Sequence, residues 1–289
     1  MTVPVEAVDS GCNAFTPYRR AAWETAIADQ GLALKVTRPT DDFCSPEEMV
    51  DRMAATGFAT LVLTCCDEHP GSDDDFPAVA TRVEEMRRLH DDHGAALVAT
   101  WSIDPRTGSA GVRRAAEILD EPWCVGLHVH THSWDRRLDH ADYYPYYALA
   151  AAADVPFVAQ VGASGGRFPS ECGRPAGVDR PAIYFPEVRF VLSHTGWPWT
   201  TEAIAMAMKF SNVFLGTATW PPARWAPELL DFIRGSGRDS CLYGTGFPTT
   251  GHHQAAEQLA RLDLDPDVLA RLTTRNARRV FGRLGGPIR

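Results

Sequence analysis

The sequence lacks a CxxC pair, a basic stripe, a long apolar run and a Gly-rich dinucleotide fingerprint, and each absence removes a class of protein. Its seven cysteines, Cys12, Cys44, Cys65, Cys66, Cys124, Cys172 and Cys241, are odd in number and irregular in spacing. Neither a disulfide framework nor a zinc ribbon is suggested, and all seven are expected to be reduced thiols packed as small hydrophobes. With 28 basic against 37 acidic residues and a formal charge of -9, the chain has no cationic footprint for nucleic acid or an anionic membrane. No hydrophobic stretch reaches the length of a membrane span, and the opening MTVPVEAVDS has neither a basic start nor an apolar signal core. The expectation is a cytoplasmic protein kept apart by its own charge, with a small molecule rather than nucleic acid or membrane as its partner.

What is present is core-forming material. The chain has 289 residues, 45% of them hydrophobic. A (β/α)8 barrel takes about 250 residues, so one such domain over 1–289 would use nearly all of it. Short apolar runs recur along the sequence: VEAVDSG from Val5, ATLVLTC from Ala59, AALVATW from Ala95, CVGLHVH from Cys124, PFVAQVG from Pro156, RFVLSHTG from Arg189, NVFLGTA from Asn212 and CLYGTGFP from Cys241. They are too short for helices and apolar on both faces, as buried parallel strands are.

Helix signals lie between them. Ser45-Pro-Glu-Glu48 reads as a capping box with Pro at the first helical position, and 78–90, 228–234 and 265–281 have apolar residues at helical spacing. Repeated alternation of strand and helix means a parallel α/β barrel, a TIM barrel. A doubly wound open sheet competes, but no Gly-rich loop follows the first strand. The wide gap between the first two strands, 14–44, is expected to be an insertion over one mouth.

In such barrels the chemistry projects from the C-terminal ends of the strands. Those positions hold Asp9, Cys12 and Asn13; Cys65, Cys66 and Asp67; Trp101 and Asp104; His128, His130 and His132; Gln160; His194; Thr217; and Gly246. The segment from Tyr184 to Trp199, YFPEVRFVLSHTGWPW, resembles the sixth-strand signature of the amidohydrolase type 2 family, which includes aromatic-acid decarboxylases and lactone hydrolases. Leu242 to Pro248 resembles the family's eighth-strand motif, and Asn276 to Gly282 its closing helix. The resemblance spans nearly the whole chain and implies an amidohydrolase-like barrel. It also implies a His-x-His pair after the first strand, a His at the fifth, a His at the sixth and an Asp at the eighth. Here Gly11 and Asn13, Gln160 and Gly246 stand at four of those places, and only His194 remains. One imidazole cannot hold zinc, which takes about three protein ligands, so no metal and no cofactor are expected at the family's site.

His194 is then the leading catalytic candidate, because its intrinsic pKa suits proton transfer at neutral pH. Asp9 is its candidate partner acid, or else a hydrogen-bonded core residue. Asn13 and Gln160 are candidates to orient a ligand, and Trp101, His128, His130, Trp197, Trp199 and Trp220 to enclose it. Trp134, Tyr143, Tyr144, Tyr146 and Tyr147 add to an aromatic set near the fourth loop, while Arg136, Arg137 and Arg167 are candidates for a substrate carboxylate. His252 and His253 read as surface residues. Cys12, Cys65 and Cys66 lack an adjacent base in the sequence and read as structural. The functional expectation is a metal-independent hydrolase, decarboxylase or other lyase or cyclase of specialised metabolism, acting on a bulky apolar organic acid or lactone. One alternative is an inactive barrel that binds a small molecule or a partner. Another is a metal hydrolase whose site has moved to His128, His130 and His194. Relatives of the fold often pair, which leaves a homodimer as an expectation from resemblance.

Overall fold

Parallel strands form where the apolar runs stand. In the computed structural model, which describes residues 6–30, 41–67, 80–164 and 168–284, the barrel strands are β1 (Ala7–Cys12), β2 (Phe58–Cys66), β3 (Leu97–Ser102), β4 (Cys124–His130), β5 (Phe157–Gln160), β6 (Phe190–Ser193), β7 (Val213–Gly216) and β8 (Cys241–Leu242). Each pairs in parallel with the next in chain order, and a two-residue strand, Thr81–Arg82, adds to the end of β2. The circle closes between β1 and β8, where Ser10 N donates to Tyr243 O at 2.9 Å and Gly246 N to Gly11 O at 2.7 Å.

Strand periodicity sorts the side chains into two layers. Outward residues such as Leu61, Leu63, Leu127, Phe157 and Leu192 join the core beneath the helices. Inward, every strand contributes one residue to a single apolar layer: Val8, Val62, Val98, Val125, Val158, Val191, Phe214 and Leu242. Val280, Phe281 and Leu284 pack on this layer, and Arg283 donates to Leu119 O and Cys124 O, which places the plug at the N-terminal end of the barrel. Each such side chain contributes about 1.5–3 kcal/mol on burial. Two residues further along, the same faces turn polar, with Ser10, Thr64, Thr100, Gln160 and Ser193 above Val8, Val62, Val98, Val158 and Val191. The barrel thus has an apolar floor and a polar chamber at its C-terminal end.

The helices begin where their caps dictate. Ser45 Oγ accepts from Glu48 N at 3.2 Å and Glu48 Oε2 accepts from Ser45 N at 2.9 Å, which starts the helix Pro46–Thr56. Gly57 ends it at φ 93°, a conformation glycine adopts freely. The helix expected over 265–281 runs from Pro266 to Val280 with one irregularity inside it. A π turn, Arg271–Arg275, separates Pro266–Ala270 from Asn276–Val280, because Leu272 O is diverted to accept from Tyr243 N at 2.9 Å beside β8. The helix expected over 78–90 runs from Val83 to His93.

Both flanks of the 14–44 segment are anchored at the chamber end. Thr16 Oγ1 donates to Glu85 Oε1 at 2.9 Å, and Phe43 packs edge-on to Phe247 at 5.5 Å, just beyond β8. Residues 31–40 lie outside the described residues. Among the described residues no helix is long and apolar enough to cross a membrane.

Candidate functional site

A small chamber of about 30 Å³, enough for one small group, sits on the floor layer. Val62 and Val158 form its base, and Ser10, Gly11, Cys12, Asn13, Thr64, Thr100, His128, Ser193, His194, Ala218 and Gly246 form its wall. His194 follows β6 directly, at φ 70°, and Thr195 and Gly196 continue the left-handed turn at 56° and 73°. A left-handed non-glycine residue costs about 1–3 kcal/mol and persists only where its surroundings demand it. Here the demand comes from backbone bonds, with Trp199 N donating to Gly196 O and Ala163 N to Trp197 O, both at 2.7 Å.

Both chamber imidazoles are oriented by serines. His194 Nδ1 shares a hydrogen bond with Ser193 Oγ at 3.0 Å, and His128 Nδ1 with Ser102 Oγ at 2.7 Å. Higher in the mouth, His130 Nδ1 meets Ser133 Oγ at 2.6 Å and its ring lies tilted, 5.0 Å from that of His132, whose Nε2 meets Gly162 O at 2.9 Å. Burial pushes His128 down to about 3. Burial followed by the neighbouring histidines pushes His130 well below its ordinary value, and His194 moves the same way. These rings are neutral at pH 7, where each can accept a proton or donate an N–H hydrogen bond.

The structure does not bring Asp9 to His194. Strand parity, with Val8 and Ser10 inward, turns Asp9 to the outer layer. There its carboxylate accepts from Thr245 N at 2.9 Å, Thr245 Oγ1 at 2.5 Å and Gly11 N at 3.2 Å, with His252 Nε2 at 3.0 Å. His252 is therefore no surface residue. It is fully buried against Phe58 and Phe247, while its neighbour His253 is exposed.

The other candidates divide between wall, rim and core. Asn13 is in the wall, its amide donating to Phe247 O at 2.8 Å. Gln160 ends β5 opposite Ser193 of β6 and does not line the chamber. Trp197 is half exposed and meets the partly buried Trp220 at 5.1 Å, a pair at the rim. Trp199 instead packs under the Arg174 guanidinium at 4.9 Å. Trp101, Tyr143, Tyr146 and Tyr147 are buried in the helix-facing core rather than in a pocket. Tyr144 and Trp134 lean on that core, and Trp134 carries Arg106 over its ring. Arg136 and Arg137 pair with Asp142 and Asp139, and Arg167 lies outside the described residues.

All seven cysteines are buried and free. Burial pushes Cys12 and Cys65 up, and Cys66 up to about 11 despite the Arg82 guanidinium beside it, so none is an activated nucleophile. Sequence reasoning missed Ser10, Thr64, Thr100, Ser102, Ser193 and His252. The first three and Ser193 were within reach, since each stands two residues after a floor valine.

The family's metal does not fit the residues present. A Cβ on Gly246, at φ 60°, would stand 2.2 Å from Thr219 N, and one on Gly11 would stand 3.0 Å from Ala218 Cβ. Backbone has closed over the place of the eighth-strand Asp. Among the described residues only Asp9, Cys12 and His252 bring three ligand atoms within 4.8 Å of one another, and the Asp9 oxygens are already taken by the donors named above. The chamber histidines do not converge in that way.

Comparison with solved structures finds the same barrel. An uncharacterised TIM-barrel protein from Bordetella bronchiseptica superposes with a TM-score of 0.76 at 19% identity, covering 98% of this chain and 100% of that one. A 2,6-dihydroxybenzoate decarboxylase from Rhizobium superposes with a TM-score of 0.64 at 16% identity, covering 97% and 100%. A 5-carboxyvanillate decarboxylase from Novosphingobium aromaticivorans, solved with bound manganese, does so with a TM-score of 0.66 at 14% identity, covering 96% and 97%. No curated protein matches the sequence. The amidohydrolase family profile matches residues 8–283, so the chain belongs to the amidohydrolase family.

Proposed function

We propose that this chain is an enzyme that uses its own side chains, without a metal, for proton-transfer chemistry on an organic acid or lactone. The reaction class is hydrolysis, decarboxylation or a related lyase or cyclisation step. The observation that carries this reading is the pair of serine-oriented imidazoles, His194 on its left-handed turn and His128 beside it, in a polar chamber over an apolar floor. Held neutral, His194 takes a proton from water or from the substrate, while His128 or a wall hydroxyl donates to the carbonyl oxygen. The chamber holds only the reacting group, so the rest of the substrate lies toward the Trp197–Trp220 rim, with Asn13 steering the carbonyl and His130 and Gln160 above it. Asp9 acts as a positioning residue, holding β1 against the loop after β8 through Thr245. The decarboxylases of similar fold support an aromatic-acid class of substrate.

The competing reading is a silent binding protein, favoured by the small chamber and by the closed-over ligand positions. Turnover separates the two. Metal-stripped protein is screened against aromatic acids and lactones, and His194→Ala is expected to lose about 10²–10⁴-fold in kcat with its fold intact by circular dichroism. Activity that depends on added manganese or zinc, or an unaffected His194→Ala, would sink the mechanism.

A further inference from the structure

The described wall of the chamber is made of uncharged groups. Its polar groups are the hydroxyls of Ser10, Thr64, Thr100 and Ser193, the Cys12 thiol, the Asn13 amide, and the rings of His128 and His194; the Ser10 hydroxyl donates to Tyr243 O at 2.6 Å and offers a ligand only its lone pairs. The nearby acid, Asp9, faces the outer layer, where its oxygens are filled by Thr245, Gly11 and His252. The loop arginines are engaged elsewhere, Arg136 with Asp142 at 2.8 Å and Arg174 with Glu202 at 3.1 Å. A carboxylate pushed onto the valine floor would therefore meet no fixed cation from the described residues. A buried charge without a partner is penalised far more heavily than a buried carbonyl that finds a hydroxyl.

We propose that the chamber accepts the reacting group of its ligand in uncharged form, as a lactone, ester, amide or ketone carbonyl or as a protonated carboxylic acid, and rejects the carboxylate anion. The inference rests on the site assigned above and narrows its substrate class. The Thr64 hydroxyl and an imidazole N–H match the two lone pairs of a carbonyl oxygen seated over the valine floor, and the carbon skeleton extends toward the Trp197–Trp220 rim. An anion could enter only with a proton, and burial holds the ring nitrogens away from supplying one.

The test uses matched neutral and anionic pairs on the full chain at pH 7.5: benzamide against its isostere benzoate, and coumarin against its ring-opened acid 2-hydroxycinnamate, titrated by ligand-observed NMR. The expected result is that each neutral member binds roughly tenfold or more tightly than its anionic partner. Thr64→Val, which keeps volume and removes a hydroxyl, should weaken the neutral members several-fold, and Val158→Phe, which fills the floor, should abolish them. If Val158→Phe does not fold, the Thr64→Val result decides the location. Equal or tighter binding of the anions, binding indifferent to Thr64→Val, or no binding of any of the four overturns the inference. Anion preference combined with His194-dependent turnover would sink this inference alone. Neutral preference without turnover would leave it standing and remove the enzymatic reading.

Discussion

Two groups of buried histidine flank the upper barrel wall, and their partners differ. On the outer side His252 meets the Asp9 carboxylate at 3.0 Å, with Thr245 and Gly11 completing the shell and Phe58 and Phe247 packed around it. On the inner side the Nδ1 atoms of His128 and His194 are met by the hydroxyls of Ser102 and Ser193, and His128 and His132 act on His194 through their fields. A carboxylate with every lone pair filled is a clamp, and changing any member leaves a buried group unpaired. A hydroxyl is a softer partner that can donate or accept, so an inner ring keeps both of its protonation roles open. Under the proposed function the outer cluster serves stability and the inner one chemistry.

The sharpest way to break that contrast is Asp9→Ala. Removing one partner of a buried pair costs about 3–5 kcal/mol, so chemical denaturation should show a large loss of stability. A stable Asp9→Ala protein with selectively lost activity would move Asp9 from the clamp into the chemistry.

Acidification probes the inner group. Each chamber histidine binds its proton less readily folded than unfolded, so the unfolded state takes up protons first as pH falls below about 6.5. Stability is full above that pH and declines toward the depressed folded value, near 3 for His128. Each such ring contributes a slope of about 1.4 kcal/mol per pH unit in that window. His128→Gln should flatten the curve between pH 6 and 4, measured by urea unfolding at each pH, and an unchanged slope would contradict a neutral buried ring.

The smallest expected effect is at His194→Gly. Glycine relieves the left-handed φ of 70° while removing the imidazole. The variant should stay within about 1 kcal/mol of the parent in stability and lose activity as His194→Ala does. A strongly destabilised His194→Gly would make His194 a scaffold residue like His252.

Much of the barrel was readable because its cause is local. Short runs such as ATLVLTC and RFVLSHTG become strands since both faces are buried, and the Ser45 capping box starts its helix from four consecutive residues. His194, His128 and Asn13 were placed in the site by standing at strand ends, and they do line the chamber. Asp9 and Trp101 stand at equivalent ends yet face outward. A run apolar on both faces does not reveal its own parity, and one residue of phase exchanges wall for core. Trp101 and the tyrosines looked like a pocket for the same reason, and they are core.

The architecture and the replaced ligand positions follow from the order of residues alone. Eight buried-strand patterns with helices between them admit few folds, and Gly11, Gln160 and Gly246 cannot become imidazole or carboxylate in any fold. Which polar groups meet is fixed by the folded barrel. Asp9 and His252 are 243 residues apart, and the helix over 266–280 takes its π turn where the Tyr243 amide, just past β8, claims a carbonyl. Position 246 is closed by Thr219, which reaches it from the loop after another strand. Such pairings depend on how the circle of strands closes and on its stagger, and no local pattern of residues contains that information.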